Sequence, residues 1–422
     1  MKVILSVGLG RLHLIQSASY LAQRGCSIQL IMGWVPKNLN GWSIKIYSKL
    51  AGRNLEAGML KRQITNPILV VKSCSNIDFL SSFLWIITLK SRRYWAMVAT
   101  FCFKCFGRCS RKYIKNADIF HVRSGAGQGG AIAQAKVLGM KVLVDHSIAH
   151  PRFMEEHLRS EYERHGKRFG LGVSSPFWKL VLKDCQEADI LLVNSFFVRD
   201  TFVSTGYAPE KIRVAYQGTR ADFFGLRKKQ ETPLVQLKSK QIKLLFTGSF
   251  GFRKGGEYLL DALKTLKINE EIDFIMDVVG VHEPMRQIIQ RYAQDGLPIH
   301  FHGPVPQDDL KDYLSNADIY VFPSLAEGCA SSGMEAMAAG LCVVATYESG
   351  LPITDGETGY IVPSKDAKAI AERIVWLARN PEEVNRVGVN AARLIATEYT
   401  WEKYAENVEG IYLELTQTKG ES

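Results

Sequence analysis

The stretch DIYVFPSLAEGCASSGMEAMAAGLCVVAT, residues 318–346, predicts a complete strand–loop–helix–strand unit. Its first apolar run ends at Pro323, and a glycine-containing loop follows. The helix is predicted to begin near Ser331 or Ser332, and a second apolar strand closes the unit. A helix that starts directly after an apolar strand is typical of the βα units that build parallel sheets.

The start of this helix has the chemistry of a binding site. The first N–H groups of a helix have no partner within it, so those of Ser331, Ser332 and Gly333 would offer a site to a diphosphate. Glu327 and Glu335 lie eight positions apart on the two sides of the helix start. Their carboxylates could accept hydrogen bonds from a sugar hydroxyl and from a ribose diol, respectively. A simpler interpretation of Ser332 and Glu335 is an S-x-x-E capping box.

The same alternation of strands and helices continues along the chain. Apolar runs predict strands at 2–7, 27–32, 68–71, 118–122, 141–145, 189–194, 212–216, 242–248, 273–280, 299–303, 318–323 and 341–346. Helical patterns lie between most of them, including 12–24, 127–138, 174–187, 255–266, 283–294 and 366–379. Because the strands are continuously apolar, they predict parallel sheets covered by helices on both faces, which is an α/β fold.

A polar segment rich in Lys and Arg, residues 218–241, interrupts this alternation and is the predicted linker. It separates an N-terminal unit, residues 1–217, from a C-terminal unit that begins at residue 242. In doubly wound sheets, ligands bind at the carboxyl ends of the strands. Two facing sheets would therefore form a binding cleft between the domains.

Composition and charge narrow the class of protein. The 422 residues are 46% hydrophobic and 23% charged, which excludes a disordered chain, a small disulfide scaffold and a multi-span membrane protein. The net charge of +11 divides unevenly, with +17 in residues 1–150 and −6 in residues 151–422. The two halves are therefore expected to meet different partners.

The segment 79–113 combines apolar and aromatic residues with basic ones. Lys90, Arg92 and Arg93 interrupt its apolar run before it reaches the length of a membrane-spanning helix. Two interpretations stay open, an interfacial helix on an anionic membrane and an amphipathic helix packed on its own domain. The N-terminal run MKVILSVGLG favours a buried first strand over a secretory signal, so a cytoplasmic protein is expected, peripheral at the inner face of the plasma membrane if the first interpretation holds.

Two groups of residues raise the question of a metal. One is a C-x2-C-x3-C pattern formed by Cys102, Cys105 and Cys109, and the other is a set of histidines at 146, 150 and 157. The cysteines have no fourth ligand at a suitable spacing, and no carboxylate pattern supports the histidines. Free thiols and no metal are the expectation.

At this point the sequence resembles glycosyltransferase family 4, the retaining glycosyltransferases of the GT-B fold. The resemblance rests on an E-x7-E signature within P-S-x-x-E-G…E-A-M-A-x-G. The residues that match this signature are Pro323-Ser324, Glu327-Gly328 and 335–340. The downstream stretch DGETGYIVP, residues 355–363, is similar to the family as well. The resemblance implies two facing Rossmann-like, doubly wound parallel-sheet domains with an interdomain cleft. It also implies an acceptor-binding domain at 1–217, a nucleotide-sugar-binding domain at 242–398, and a final helix at 399–422 that returns to the N-terminal domain.

The resemblance also implies roles for residues of the C-terminal domain. Glu327 would hold the donor sugar and Glu335 the ribose, while Lys254 would clamp the donor diphosphate. The family's clamp arginine corresponds to Ser249 in this chain, and Arg253 is the candidate replacement. IHFHGPVP, residues 299–306, resembles the segment whose backbone contacts the base, and its two histidines fit a strand-end feature better than metal ligands.

In the N-terminal domain the implied roles are fewer. Gly8 and Gly10 would let the backbone approach the donor phosphates or the acceptor. The family often carries a histidine in the cleft after a central strand, and His121 and His146 are both candidates for it.

The resemblance predicts a retaining glycosyltransferase that moves a sugar from a UDP- or GDP-sugar to a saccharide or lipid-linked acceptor in cell-surface glycan or polysaccharide biosynthesis. Cations and helix N–H groups would stabilise the departing diphosphate, so no metal and no other cofactor are expected. The alternatives are a GT-B relative, such as a nucleotide-sugar epimerase or a sugar phosphorylase, and a non-enzymatic binder of anionic membranes or nucleic acid. No nucleic-acid-binding motif accompanies the basic charge, so a nucleic-acid partner is not expected.

Overall fold

The computed structural model describes residues 1–9, 13–35, 64, 66–88, 92–226, 241–269 and 272–417. Within them the chain forms two parallel sheets, one in each half of the chain. This confirms the predicted α/β fold of two doubly wound domains.

The N-terminal sheet has seven strands in the order β3-β2-β1-β4-β5-β6-β7. The strands are β1 (Lys2–Gly8), β2 (Ser27–Met32), β3 (Val70–Ser73), β4 (Ile119–Arg123), β5 (Lys141–His146), β6 (Ile190–Val193) and β7 (Ile212–Val214). All of their pairings are parallel. The order reverses direction beside β1, which opens a crevice at the carboxyl ends of β1 and β4.

The C-terminal sheet has six strands in the order β10-β9-β8-β11-β12-β13, all paired in parallel. The strands are β8 (Ile242–Thr247), β9 (Phe274–Val279), β10 (Ile299–Gly303), β11 (Ile319–Phe322), β12 (Cys342–Ala345) and β13 (Tyr360–Ile361). Its switch of direction lies between β8 and β11, so ligands are expected where these two strands end.

Helices connect the strands and cover the sheets. They are His13–Gln23, Ser75–Thr88, Arg92–Ser110, Ala131–Val137, Pro151–Glu163, Pro176–Glu187, Phe196–Val203, Gly256–Asn269, Arg286–Ala293, Gln307–Asn316, Ser331–Ala339, Ala367–Arg379, Pro381–Glu398 and Trp401–Gln417. None of the helices in the described ranges has the length and apolar character needed to cross a lipid bilayer.

Most predicted elements lie within a few residues of the observed ones. The strand predicted at 68–71 forms two residues later, because the Asn66 side chain accepts a hydrogen bond from the Ile68 N–H (3.0 Å) and holds a turn there. The strand β13 was not predicted. It pairs with β12 over only two residues, which is too short for a periodicity signal.

The C-terminal helix Trp401–Gln417 packs on the N-terminal domain. Tyr404 and Tyr412 belong to the same buried apolar cluster as Leu5 of β1. The chain therefore crosses between the domains twice, and the crossings touch. The N–H of Thr219 donates to the carbonyl of Tyr399 (2.8 Å), and a Cβ on Gly218 would lie 2.4 Å from the Trp401 nitrogen. We call residues 217–220 and 399–401 the hinge.

All eight cysteines are free thiols, as the sequence predicted. The C-x2-C-x3-C group lies along one helix, Arg92–Ser110. In the described part of the chain, neither that group nor the histidines at 146, 150 and 157 form a cluster with the geometry of a metal site.

Candidate functional site

The helix predicted to bind a diphosphate begins at Ser331, directly after the loop that follows β11. Its N-cap is Ala330, and no side chain caps it. The Ser332 hydroxyl instead donates to the Thr247 carbonyl (3.3 Å) and accepts from the Tyr320 hydroxyl (2.9 Å). The capping-box interpretation is therefore wrong. The N–H groups of the first helical turn therefore have no side-chain cap, which leaves them able to bind an anion.

Glu335 lies one turn into this helix, partly buried at the side of a recess. Among the described residues, no side chain or backbone group pairs with its carboxylate. Burial raises the pKa of Glu335 to about 7, although the positive charge of Arg220 opposes this shift. A buried carboxylate without a protein partner is costly, and ligand hydroxyls that donate to it would remove that cost.

The recess has a volume of about 150 Å³ and lies between the domains. Gln16 lines it from the N-terminal domain, residues 217–220 and Trp401 line it from the hinge, and Ser331 and Glu335 line it from the C-terminal domain. The structure therefore brings the predicted diphosphate site and the predicted ribose carboxylate into one interdomain cavity.

The predicted clamp cations lie beside the other glutamate of the signature. The Glu327 Oε1 atom is 2.7 Å from Arg253 Nη1 and 3.3 Å from Lys254 Nζ. Lys254 also lies over the Phe322 ring, 4.6 Å from its centroid. Burial lowers the pKa of Lys254, and the Glu327 charge only partly opposes this. A buried amine of this kind gains from the approach of a second anion.

Ser249 and Gly248 form the loop after β8, next to these cations. Gly248 has φ +121°, and a Cβ on it would lie 3.2 Å from Lys254 Nζ. Ser249 is exposed and supplies no charge at the position where the resemblance implies an arginine. Arg253, the candidate replacement, lies four residues later in the same loop, and its Nη1 donates to the Ala326 carbonyl (2.8 Å).

The loop that carries Glu327 is pressed against the N-terminal domain. The Ala149 N–H donates to the Glu327 carbonyl (3.1 Å), and the Ser195 hydroxyl donates to the Gly328 carbonyl (2.5 Å). A Cβ on Gly328 would lie only 2.1 Å from the Ser147 carbonyl oxygen. Only glycine permits this approach, which brings the Glu327 loop against the N-terminal domain.

His121, the first candidate for a cleft histidine, is fully buried. Its Nδ1 is 2.6 Å from the Tyr412 hydroxyl, and its Nε2 is 3.7 Å from Asp145 Oδ2. Burial lowers the pKa of this ring. The structure places His121 under the C-terminal helix and not on a cleft wall, because β4 is a central strand whose faces are both covered.

His146, the second candidate, is the last residue of β5 and is also buried. Its Nδ1 is 2.8 Å from the Ser124 hydroxyl, and its ring packs edge-on against Phe202 at 5.0 Å. Burial, with a smaller contribution from His150, lowers the pKa of His146 to about 3. It is therefore a neutral interior ring in this structure, and its exposed surface is too small to reach a substrate.

The structure places a further residue, His13, at the hinge, which the sequence did not indicate. Its Nε2 is 2.8 Å from Asp145 Oδ2, and its Nδ1 is 2.9 Å from Gln217 Nε2. Gln217 lines the recess. In the sequence, its only signal is a polar residue at the start of the first helix, shortly after Gly8 and Gly10.

Of those glycines, Gly10 lies outside the described residues. Gly8 ends β1 with φ +80°, and a Cβ on it would lie 3.2 Å from the Ala126 Cβ. This backbone conformation favours glycine at the end of the strand.

Comparisons with known proteins point to one family. Residues 228–394 match the family model described as Glycosyl transferases group 1. The amylovoran biosynthesis glycosyltransferase AmsK of Erwinia amylovora is 28% identical over 300 residues, 67% of each chain. The putative colanic acid biosynthesis glycosyltransferase WcaL of Salmonella typhimurium is 27% identical over 219 residues, 49% of this chain and 52% of that protein. The chain thus spans about half to two thirds of these relatives.

Solved structures agree on the fold. Anabaena Alr3699/HepE, crystallised in complex with UDP, superimposes with a TM-score of 0.62 at 13% identity, over 98% of this chain and 100% of that one. This similarity extends over both domains and confirms the predicted two-domain GT-B architecture.

Proposed function

We propose that the chain is a retaining glycosyltransferase, because residues 228–394 match the family model described as Glycosyl transferases group 1. It would move a sugar from a UDP- or GDP-sugar to a saccharide or lipid-linked acceptor in polysaccharide biosynthesis. The observation that carries the proposal is the interdomain recess, where Glu335 has no partner among the described residues and lies beside an uncapped helix start.

The recess suits a nucleoside diphosphate. Glu335 in its ionised form would accept hydrogen bonds from both ribose hydroxyls, and such charge-assisted bonds are about twice as strong as neutral ones. The N–H groups of Ser331, Ser332 and Gly333 would receive the diphosphate, helped by the positive end of the helix dipole. Alr3699/HepE binds UDP on the same fold, which supports a nucleotide ligand.

Transfer would occur beside Glu327. The bond between the anomeric carbon and the phosphate oxygen breaks, and the acceptor oxygen bonds to that carbon on the same face. The proton of the acceptor hydroxyl passes to a phosphate oxygen. Lys254, Arg253 and the helix N–H groups would stabilise the charge that develops on the diphosphate, so no metal ion is required in this proposal.

Arg253 and Lys254 pair with Glu327 in the structure without a donor. These ion pairs would therefore have to change when the donor binds. The diphosphate would draw the two cations towards itself, and the Glu327 carboxylate would turn to the sugar hydroxyls. The ion cluster thus keeps buried charges paired until the donor arrives, which avoids the cost of an unpaired buried charge.

The acceptor side has a surface suited to an anionic membrane. Tyr94, Met97 and Phe101 follow one another at i, i+3 and i+7 on helix Arg92–Ser110 and are 50–61% exposed. Phe83 on the preceding helix is 57% exposed.

Basic side chains surround this apolar face. Lys104, Arg108, Arg111 and Lys112 are exposed on the same helix and just beyond it. Exposed aromatics flanked by Lys and Arg bind interfaces that carry negative lipids. We therefore place the protein in the cytoplasm, peripheral at the inner face of the plasma membrane. We call Phe83, Tyr94, Met97 and Phe101 the apolar face.

The test of the retaining reaction is the anomeric configuration of the product. Once a donor and acceptor pair is found, proton NMR of the first product should show the configuration of the sugar nucleotide. An inverted product would refute the retaining mechanism, while a free epimerised sugar nucleotide would favour an epimerase of the same fold.

A further inference from the structure

A cluster of two histidines and one aspartate lies on the edge of the C-terminal sheet. His300 and His302 are two residues apart on the edge strand β10, so both side chains point to the same face. Asp277 lies opposite His300 on the neighbouring strand β9. One ligand atom from each of the three residues lies within 4.8 Å of the other two.

The histidines do not contribute to the core. The residue between them, Phe301, points to the opposite face and packs edge-on against the buried Phe250 at 5.7 Å. The side chains of His300 and His302 are 59% and 29% exposed. Folding therefore requires Phe301 to be apolar but places no such demand on its two neighbours.

Of the distances between ligand atoms in the cluster, one is shorter and one is slightly longer than those in a zinc site. Asp277 Oδ1 is 2.6 Å from His302 Nε2 and 3.7 Å from His300 Nδ1. A tetrahedral Zn²⁺ with bonds of about 2.0–2.2 Å holds its ligand atoms roughly 3.3–3.6 Å apart, so small side-chain rotations would suffice. A hydrogen bond between Asp277 and His302 explains two of the residues but gives His300 no role.

We propose that Asp277, His300 and His302 form a binding site for a divalent transition-metal ion, with Zn²⁺ the best match. Two imidazoles and one carboxylate are ligands that Zn²⁺, Cu²⁺ and Ni²⁺ prefer, whereas Mg²⁺ and Ca²⁺ prefer sites made of oxygen atoms. The Tyr313 ring, 4.8 Å from the His302 ring, restricts how that ligand can turn. The three protein ligands leave a fourth position for water or for a group of another molecule.

The metal would join the last two strands of the sheet through their side chains. The edge strand β10 pairs with a neighbour on one side only, which makes edges the weakest part of a sheet. The three ligand side chains do not line the recess, so metal binding by them can be measured without a sugar donor. Metal should therefore raise thermal stability whether or not a sugar donor is present.

The test uses the full chain without an affinity tag, treated with a chelator and dialysed into a non-chelating buffer. ZnCl₂ is titrated calorimetrically, and the absorption of the Co²⁺-loaded protein reports the coordination geometry. The variants are His300→Asn, His302→Asn and Asp277→Asn. His282→Asn is the matched control, because His282 lies near the same edge and contacts Phe301 at 5.2 Å without belonging to the cluster.

We expect the wild type and His282→Asn to bind one Zn²⁺ per chain and to gain thermal stability from it. Each of the three ligand variants should bind at least tenfold more weakly and lose that gain. Equal Zn²⁺ affinity in the wild type and the ligand variants would overturn the proposal, as would the absence of binding to the wild type. His300→Asn keeps the test valid if another variant misfolds, since this side chain is the most exposed of the three.

Discussion

Arg253 Nη1 and Glu327 Oε1 lie 2.7 Å apart, so the candidate clamp cation and the candidate sugar-binding carboxylate neutralise each other. Lys254 shares the same oxygen at 3.3 Å. Arg253 brings a guanidinium to the loop that follows β8 and stays the candidate for the role that the family resemblance gives to an arginine at Ser249.

Removal of the Lys254 ammonium should weaken donor binding. Charged hydrogen bonds contribute about 1.5–3 kcal/mol, so Lys254→Ala should raise the KM for the sugar nucleotide roughly ten- to hundredfold. Lys264→Ala is the matched control, since Lys264 is a surface residue paired with Asp295. Initial rates at varied donor concentration give the donor KM of both variants. An unchanged KM in Lys254→Ala would remove this residue from the donor site.

Donor binding should depend on pH through Glu335. Burial raises the pKa of its carboxyl to about 7 in the free protein, so the group is largely protonated at pH 6 and ionised at pH 8. Only the ionised form accepts hydrogen bonds from both ribose hydroxyls, and donor KM should therefore fall as pH rises through 7.

The matched variant for this experiment is Glu335→Gln, which keeps the side-chain shape and removes the titration. Its donor KM should be higher at pH 8 and nearly constant between pH 6 and 8. The same group should make the free protein lose stability as pH rises from about 4.5 to 7, because the raised pKa favours the protonated folded state. If Glu335→Gln kept the wild-type pH profile, another group would have to titrate.

The close approach of Gly328 to the N-terminal domain should be necessary for turnover. A Cβ at this position would lie 2.1 Å from the Ser147 carbonyl oxygen, so Gly328→Ala must push the Glu327 loop away. We expect kcat to fall tenfold or more, since a misplacement of about 1 Å is enough for such losses.

The control for that variant is Gly410→Ala on the C-terminal helix, where an added Cβ meets no atom within 4 Å. It should leave kcat unchanged and stabilise the protein by up to about 1 kcal/mol, because alanine favours helix. Steady-state kinetics and urea unfolding distinguish the two outcomes. Normal kcat in Gly328→Ala would show that this contact is dispensable.

His121 should support the fold and not the chemistry. Tyr412→Phe removes the hydroxyl that pairs with His121 Nδ1 at 2.6 Å and should cost about 1–3 kcal/mol of unfolding free energy. Tyr207→Phe is the control, because the buried Tyr207 hydroxyl makes no hydrogen bond within the described structure. Donor KM should stay unchanged in both variants. A large rise in the donor KM of Tyr412→Phe, with normal stability, would show that His121 belongs to the functional site.

The apolar face should determine membrane association. Met97→Glu places a charge at a side chain that is 61% exposed, and it should abolish sedimentation with liposomes that contain phosphatidylglycerol. Val137→Glu is the control, since Val137 is 84% exposed on another helix. Neither of these two variants should sediment with neutral phosphatidylcholine vesicles. Equal sedimentation of the two variants would locate the membrane contact elsewhere.

The sequence predicted the features that depend on local patterns. Continuous apolar runs such as residues 242–247 follow directly from burial on both faces of a parallel sheet, and the E-x7-E spacing placed Glu327 and Glu335 at one helix start. The two-residue strand β13 was missed, because its only signal is a long-range pairing with β12.

The histidines show where sequence reasoning lacks information. His121 lies within the central strand β4 and His146 ends β5, yet the packing of the C-terminal helix and of Phe202 closes over them. That packing joins residues almost 300 positions apart in one case. His13 and Asp277 acquire their partners only through the sheet order, so no local pattern identifies them.

The most direct test of the central claim is a panel of UDP- and GDP-sugars, scored by nucleotide release with and without lipid-linked and saccharide acceptors. We predict that one donor class gives acceptor-dependent release in the wild type and that Glu335→Gln loses most of it at limiting donor. Release from no sugar nucleotide, with salt-dependent binding to duplex DNA or vesicles as the only activity, would contradict the account. Wild-type release by Glu335→Gln would refute the site even if the activity were present.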